Sequence, residues 1–182
     1  MEAEQQTIHI YLVKRCQKGD RQAQNELYKL YVGAMYNICR RMMGEEEEAK
    51  DVLQDAFITA FSSISTLKKE VTFGAWLKRI VINHCLNALK KKKLLISELN
   101  EGFDMMEPEE EEVCEYCALE SRKILQAIDH ISEGCRTVMN LYLFEGYDHK
   151  EIAHILGITE SASKAQYSKA KSKVRKILSL NT

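Results

Sequence analysis

The sequence predicts an all-α protein: two helical domains joined by an acidic linker, the second containing a helix-turn-helix. Three observations predict it. Gly and Pro together supply only 9 of 182 residues, too few for the many turns of a sandwich or barrel. Apolar residues recur at three- and four-residue steps through two long blocks. Between those blocks, residues 97–112 hold the only proline, Pro108, and a carboxylate run from Glu109 to Glu112.

The first block, residues 1–96, reads as four helices. The first covers Ile8 to Gln17 and stops at Gly19-Asp20, a turn followed by an N-cap residue. The second steps through Ala23, Leu27, Tyr31, Ala34, Ile38 and Met42 to Gly44. The third opens on Glu45 to Glu48, acids where the helix dipole favours them. Its stripe is Val52, Leu53, Ala56, Phe57, Ala60, Phe61 and Ile64. The fourth starts near Phe73, places Trp76, Leu77, Ile80, His84 and Ala88 on its apolar face, and ends in the cations Lys90 to Lys93. Trp76 reads as a core anchor.

Residues 97–112 show no periodic apolar face, and self-repelling carboxylates extend such a linker, which fully stretched reaches on the order of 50 Å. In residues 113–182 four more helices follow. Cys117, Leu119, Ile124, Leu125 and Ile128 mark the first; Val138, Leu141, Tyr142 and Phe144, after Ser132, mark the second. Asp148 with Glu151 forms a capping-box signature ahead of Ile152, Ala153 and Leu156. Gly157-Ile158-Thr159 turns the chain into a last helix with Ser163, Tyr167, Ala170, Val174 and Ile177 inside.

The segment Asp148 to Lys164 carries the helix-turn-helix pattern: a capped short helix, a small residue for close crossing, a glycine turn, an apolar plug and a second capped helix. At 3.6 residues per turn, Ser161, Lys164, Ala165, Ser168 and Lys169 point away from the buried stripe, with Lys171 near the edge of that outer face. Small and cationic residues so placed suit a major groove and its flanking phosphates.

Charge supports the same class of partner. The net charge is −1, yet residues 67–93 hold eight bases against one acid, and residues 94–120 ten acids and no base. Local basic patches attract phosphate whatever the total. Within the first of these segments Arg79, Asn83, Asn87 and Lys90 share one helix face, where amides can read base edges and cations hold phosphates. Asp51, Gln54 and Asp55 form a polar stripe beside the third helix's apolar face.

No apolar run approaches the roughly 18 residues of a membrane span, and Met1 to Thr7 is polar and acidic. The sequence therefore predicts no membrane insertion and a cytoplasmic location. Six scattered cysteines then read as buried thiols. Cys114 and Cys117 have C-x-x-C spacing, but two thiols do not close a tetrahedral site, so no metal and no cofactor is expected. Gly-rich phosphate loops, nucleophile motifs and H-E-x-x-H are all missing, which argues against an enzyme.

Taken in this order, the segments resemble the extracytoplasmic-function (ECF) sigma factors of the sigma-70 family, from Ile8 to Leu178. The run Cys16-Gln-Lys-Gly-Asp-Arg-Gln-Ala-Gln-Asn-Glu-Leu-Tyr is similar to the opening of that family's first domain. Ala49-Lys-Asp-Val-Leu-Gln-Asp-Ala-Phe resembles the segment that docks on core RNA polymerase, which implies an interface at Asp51, Gln54 and Asp55. Phe73-Gly-Ala-Trp-Leu-Lys-Arg-Ile-Val-Ile-Asn-His resembles the part that opens and reads the minus-ten element, implying DNA contact by Asn83 and Asn87. The linker resembles the connector toward the polymerase active centre and RNA exit path, and the last block the domain that reads the minus-35 element. An anti-sigma partner is also implied.

The chain departs from the family pattern in places. Ile131-Ser-Glu-Gly replaces Leu-Pro, and Ala162-Ser-Lys-Ala-Gln stands where many members carry Thr-Val-Lys-Ser-Arg. Lys164 matches, Gln166 occupies the arginine position, and Lys169 and Lys171 favour phosphate contact over bidentate guanine reading. Two other readings stand beside a sigma factor: a stand-alone helix-turn-helix regulator, and a helical interaction module whose cysteines sense metal or redox state. Polymerase binding separates the first pair, and DNA binding separates both from the third.

Overall fold

The computed structural model describes residues 2–99 and 116–180, with side chains over 8–92 and 123–179. Among them are eight α-helices and no strand. They are α1 (Glu2–Gln17), α2 (Arg21–Met43), α3 (Glu46–Ser63), α4 (Phe73–Leu99), α5 (Tyr116–Asp129), α6 (Glu133–Leu143), α7 (His149–Leu156) and α8 (Glu160–Leu180). The chain divides into two compact units, Met1–Phe103 and Asp104–Thr182. Most of the linker expected at 97–112 lies outside the described residues, as do Cys114 and the side chain of Cys117.

In the first unit α2 packs on α1, α3 and α4, and α3 packs on α4. Gly19 (φ 83°) breaks the chain before Asp20, whose carboxylate accepts from the N–H groups of Gln22 and Ala23 at 2.9 and 3.2 Å. Arg15 Nε donates to the same carboxylate at 2.7 Å, and these bonds hold it below the usual carboxylate range, the Ala23 N–H first. The core runs through Leu12, Val13, Ala23, Leu27, Ile38, Met42, Leu53, Phe57, Phe73, Leu77, Val81 and Leu89. Burial of this kind is the main favourable term in folding. Four of the six cysteines, Cys16, Cys39, Cys85 and Cys135, are buried thiols, and burial pushes the Cys16 thiol up to about 11.

The inner faces differ from the expected stripes in four helices, one of them α6, where Val138 and Leu141 are buried but Tyr142 and the adjoining Phe144 are exposed. On α2 Met35 is buried and Ala34 exposed. On α4 the buried row is Leu77, Val81, Cys85 and Leu89 with Ile82 and Leu86, while Trp76, Ile80, His84 and Ala88 are half-buried. On α5 Ile124 and Leu125 are exposed, and Ala127 and Ile128 are buried. Trp76 stands at the rim of the core, its ring 5.9 Å from that of Phe73.

In the second unit α8 is the hub, packing on α5, α6 and α7. Ala127, Ile128, Ile131, Cys135, Met139, Ala170 and Val174 form its core, with Tyr167, Ile177 and Leu178 against it. No described helix is long and apolar enough to cross a membrane.

Candidate nucleic-acid interface and docking face

Asp148 accepts from the N–H groups of Lys150 and Glu151, both at 2.8 Å, and Glu151 returns a bond from the Asp148 N–H at 2.9 Å, completing the capping box that starts α7. The helix ends at Gly157 in the left-handed region (φ 67°), and the Ile158 N–H then reaches the Ala153 carbonyl at 3.0 Å. Thr159 Oγ1 accepts from the Ala162 N–H at 3.1 Å and opens α8. A Cβ at Gly157 would meet nothing within 4 Å. Gly157→Ala therefore tests backbone strain alone. It should lower stability by about 1 kcal/mol, read as a shifted urea midpoint at unchanged slope.

The crossing of α7 and α8 is fixed by polar and aromatic contacts. His149 Nδ1 lies 2.9 Å from Oγ of the fully buried Ser163. The His149 ring stacks on Tyr142 of α6 at 4.6 Å, and Tyr167 of α8 packs against both, at 4.6 Å from Tyr142 and 5.7 Å from His149. This Tyr142–His149–Tyr167–Ser163 cluster was invisible as a motif, since its members lie far apart in sequence. The pairing of a histidine at the start of one helix with a serine on the inner face of the next was the only hint.

With that side buried, Ser161, Lys164, Ala165, Ser168, Lys169 and Lys171 are all exposed on α8. Lys164 Nζ donates to Glu160 at 2.6 Å, one turn back, and this bond holds the Glu160 carboxyl below its usual range. The Lys171 ammonium lies 5.8 Å from the centre of the Tyr167 ring. The face thus combines small side chains, hydroxyls and cations, the groups that approach base edges and phosphates in a major groove.

In the first unit Arg79, Asn83, Asn87 and Lys90 are exposed along α4. Lys92 instead turns back to Glu48 of α3 at 2.7 Å, tying the basic end of α4 to the acidic start of α3. Gln17 Nε2 donates to the carbonyls of Ile64 and Leu67, at 3.2 and 3.0 Å, and fastens the connection ahead of α4 to α1. Near the start of α4, Gly74 leaves room for Tyr31, whose hydroxyl bonds His9 Nε2 at 2.6 Å.

Asp51, Gln54 and Asp55 are exposed on α3. Lys50, the only base in residues 45–55, is held by Glu46 and Glu47 at 2.7 and 2.9 Å. Beside this acidic stripe lies a shallow groove of about 400 Å³, lined by Tyr28, Leu53, Gln54, Phe57, Ile58 and Phe61 together with Lys50, whose charge Glu46 and Glu47 offset. Ile58 is 60 % exposed, so the stripe and groove offer a partner an apolar strip with a negative rim.

Comparison with known proteins matches both units. Residues 27–94 match the family model for Sigma-70 region 2, and residues 121–174 that for Sigma-70, region 4. The chain is 31% identical over 180 residues to the ECF RNA polymerase sigma factor SigW of Bacillus subtilis, covering 91% of this chain and 94% of that protein. It is 27% identical over 180 residues to the RNA polymerase sigma-H factor of Pseudomonas aeruginosa, covering 92% of each. Its fold is similar to that of the sigma factor RpoE from Bartonella quintana, solved in complex with the anti-sigma factor NepR. That likeness has a TM-score of 0.61 at 18% identity and covers 87% of this chain and 98% of RpoE.

Proposed function

The chain belongs to the ECF sigma factors of the sigma-70 family, and from that premise we propose how its two units share the work of promoter recognition. As an alternative sigma factor it binds core RNA polymerase and directs promoter-specific transcription initiation. Its partners are the core enzyme, promoter DNA and an anti-sigma factor. It works in the cytoplasm and supplies no catalysis of its own; the chemistry of RNA synthesis belongs to the polymerase.

The observation that carries the division of labour is the sidedness of α8. Ser163, Ala170 and Val174 are buried, while Ser161, Lys164, Ala165, Ser168 and Lys169 are exposed on one continuous face. That face enters the major groove of the minus-35 element, with Lys171 and Lys169 near the phosphates. In the first unit, Arg79, Asn83, Asn87 and Lys90 contact the minus-ten element as it opens: unstacked bases offer edges to the amides and the cations hold the backbone. Asp51, Gln54 and Asp55 dock this unit on core polymerase. A stand-alone regulator would need the α8 face but would have no use for the acidic stripe and groove of α3.

The test is retention of purified bacterial core RNA polymerase by the tagged full chain. Retention at near-equimolar ratio is expected. A folded, inhibitor-free chain that retains none would reverse the assignment in favour of the stand-alone regulator.

A further inference from the structure

The first turn of α8, at the edge of its outer face, carries a partly exposed acid that the phosphate-binding argument leaves without a use. Glu160 is the first residue of the helix, and its carboxylate is joined to Lys164 at 2.6 Å. A carboxylate facing DNA is repelled by the phosphates, and pairing with one lysine only neutralises both. On the same helix Ser161, Ala165 and Ser168 are exposed and small, and from the start of α7 Lys150 and Asp148 also act on the Glu160 carboxyl, with opposite signs.

The acceptor and donor of this pair have the spacing of a base-pair edge. In the major groove a C·G pair presents the cytosine N4 donor beside the guanine O6 acceptor, joined by a hydrogen bond of about 2.9 Å. A carboxylate oxygen and an ammonium 2.6 Å apart form the complementary edge, acceptor against donor and donor against acceptor. A T·A pair also offers a donor beside an acceptor, at adenine N6 and thymine O4. There, however, the ammonium finds one acceptor flanked by a methyl group, whereas guanine supplies both O6 and N7.

We propose that Glu160 is a specificity-determining residue: its carboxylate accepts from a cytosine N4 amine while Lys164 donates to O6 and N7 of the paired guanine, so that the two side chains read a single C·G pair of the minus-35 element. The inference rests on the recognition-face reading of α8. Glu160 adds to that reading the one acceptor-only group, and it turns Lys164 from a mobile point charge into half of an oriented donor–acceptor unit.

The experiment is a binding selection with holoenzyme, the full chain on core polymerase, against promoter duplexes randomised through the minus-35 element. Wild type should prefer C·G at one position, and Glu160→Gln should lose about tenfold of that preference there. Preferences at other positions should stay as they were, and affinity for non-specific duplex should rise. Equal tightening on every sequence with the wild-type preferences intact would overturn the inference, leaving Glu160 as a counter-ion for Lys164. A wild-type holoenzyme with no minus-35 preference at all would overturn the recognition-face reading and this inference together. Glu160→Asp, which keeps the charge and shortens the reach, should lose the preference without gaining non-specific affinity. If it retains the full preference, the edge-matching geometry is wrong.

Discussion

Lys164→Glu combined with Lys169→Glu should reduce minus-35-dependent transcription by on the order of a hundredfold or more, since each lost base or phosphate contact is worth about 1–3 kcal/mol. Both side chains are exposed on the outer face of α8, so the change falls on the DNA contact and not on the core. The pair of reversals takes residues 160–182 from a net +5 to +1. It also sets a new glutamate one turn from Glu160, a like-charge pair that costs the helix only about 0.2–0.5 kcal/mol. The measurement is run-off transcription by reconstituted holoenzyme, with core-polymerase binding as the control. Binding should persist while transcription falls. Undiminished transcription would remove α8 from the recognition role.

The second large effect belongs to α3. Asp51→Arg with Asp55→Arg should weaken association with core polymerase by at least tenfold, as expected when rim charges of a complementary interface are reversed. Residues 45–55 hold six acids, and their one base, Lys50, is engaged by Glu46 and Glu47. Two arginines on the exposed stripe would turn a negative rim positive beside the groove at Tyr28, Phe57 and Ile58. Equilibrium competition against the wild-type chain for a limiting amount of core enzyme reads the change. Because both aspartates are exposed, the circular dichroism and unfolding of the variant should match those of wild type. Equal competition by the double variant would remove the docking role from this stripe.

Much of this architecture was legible in the sequence because punctuation and periodicity agreed. Gly19-Asp20, Gly44 and Asp148 through Thr159 are each a local chemical instruction, and each produces the cap or turn its residue type dictates. The outer face of α8 was equally legible, since small and charged residues alternate cleanly with a buried stripe. The inner face of α4 was not. Trp76, Leu77, Ile80, Val81, Ile82, Cys85, Leu86, Ala88 and Leu89 surround that helix with apolar groups. A helix that packs on both α2 and α3 needs a wide face, and periodicity alone does not say where such a face is centred. On α5 a short amphipathic pattern placed Ile124, Leu125 and Ile128 inside; packing on α8 buries Ile128 as expected, but with Ala127 in place of Ile124 and Leu125. The clamp between His149 and Ser163 spans fourteen residues, and only the tertiary crossing brings them together.

That clamp has a consequence for the DNA-binding role proposed for the second unit. Three aromatic rings from α6, α7 and α8 and one buried hydroxyl lock the inter-helix angle before any ligand arrives. The loss of conformational freedom is thus borne during folding and not again at the promoter. In the role proposed for it, the module would reach DNA as a preformed die, so that its base contacts go to telling one sequence from another and its phosphate contacts to holding the register.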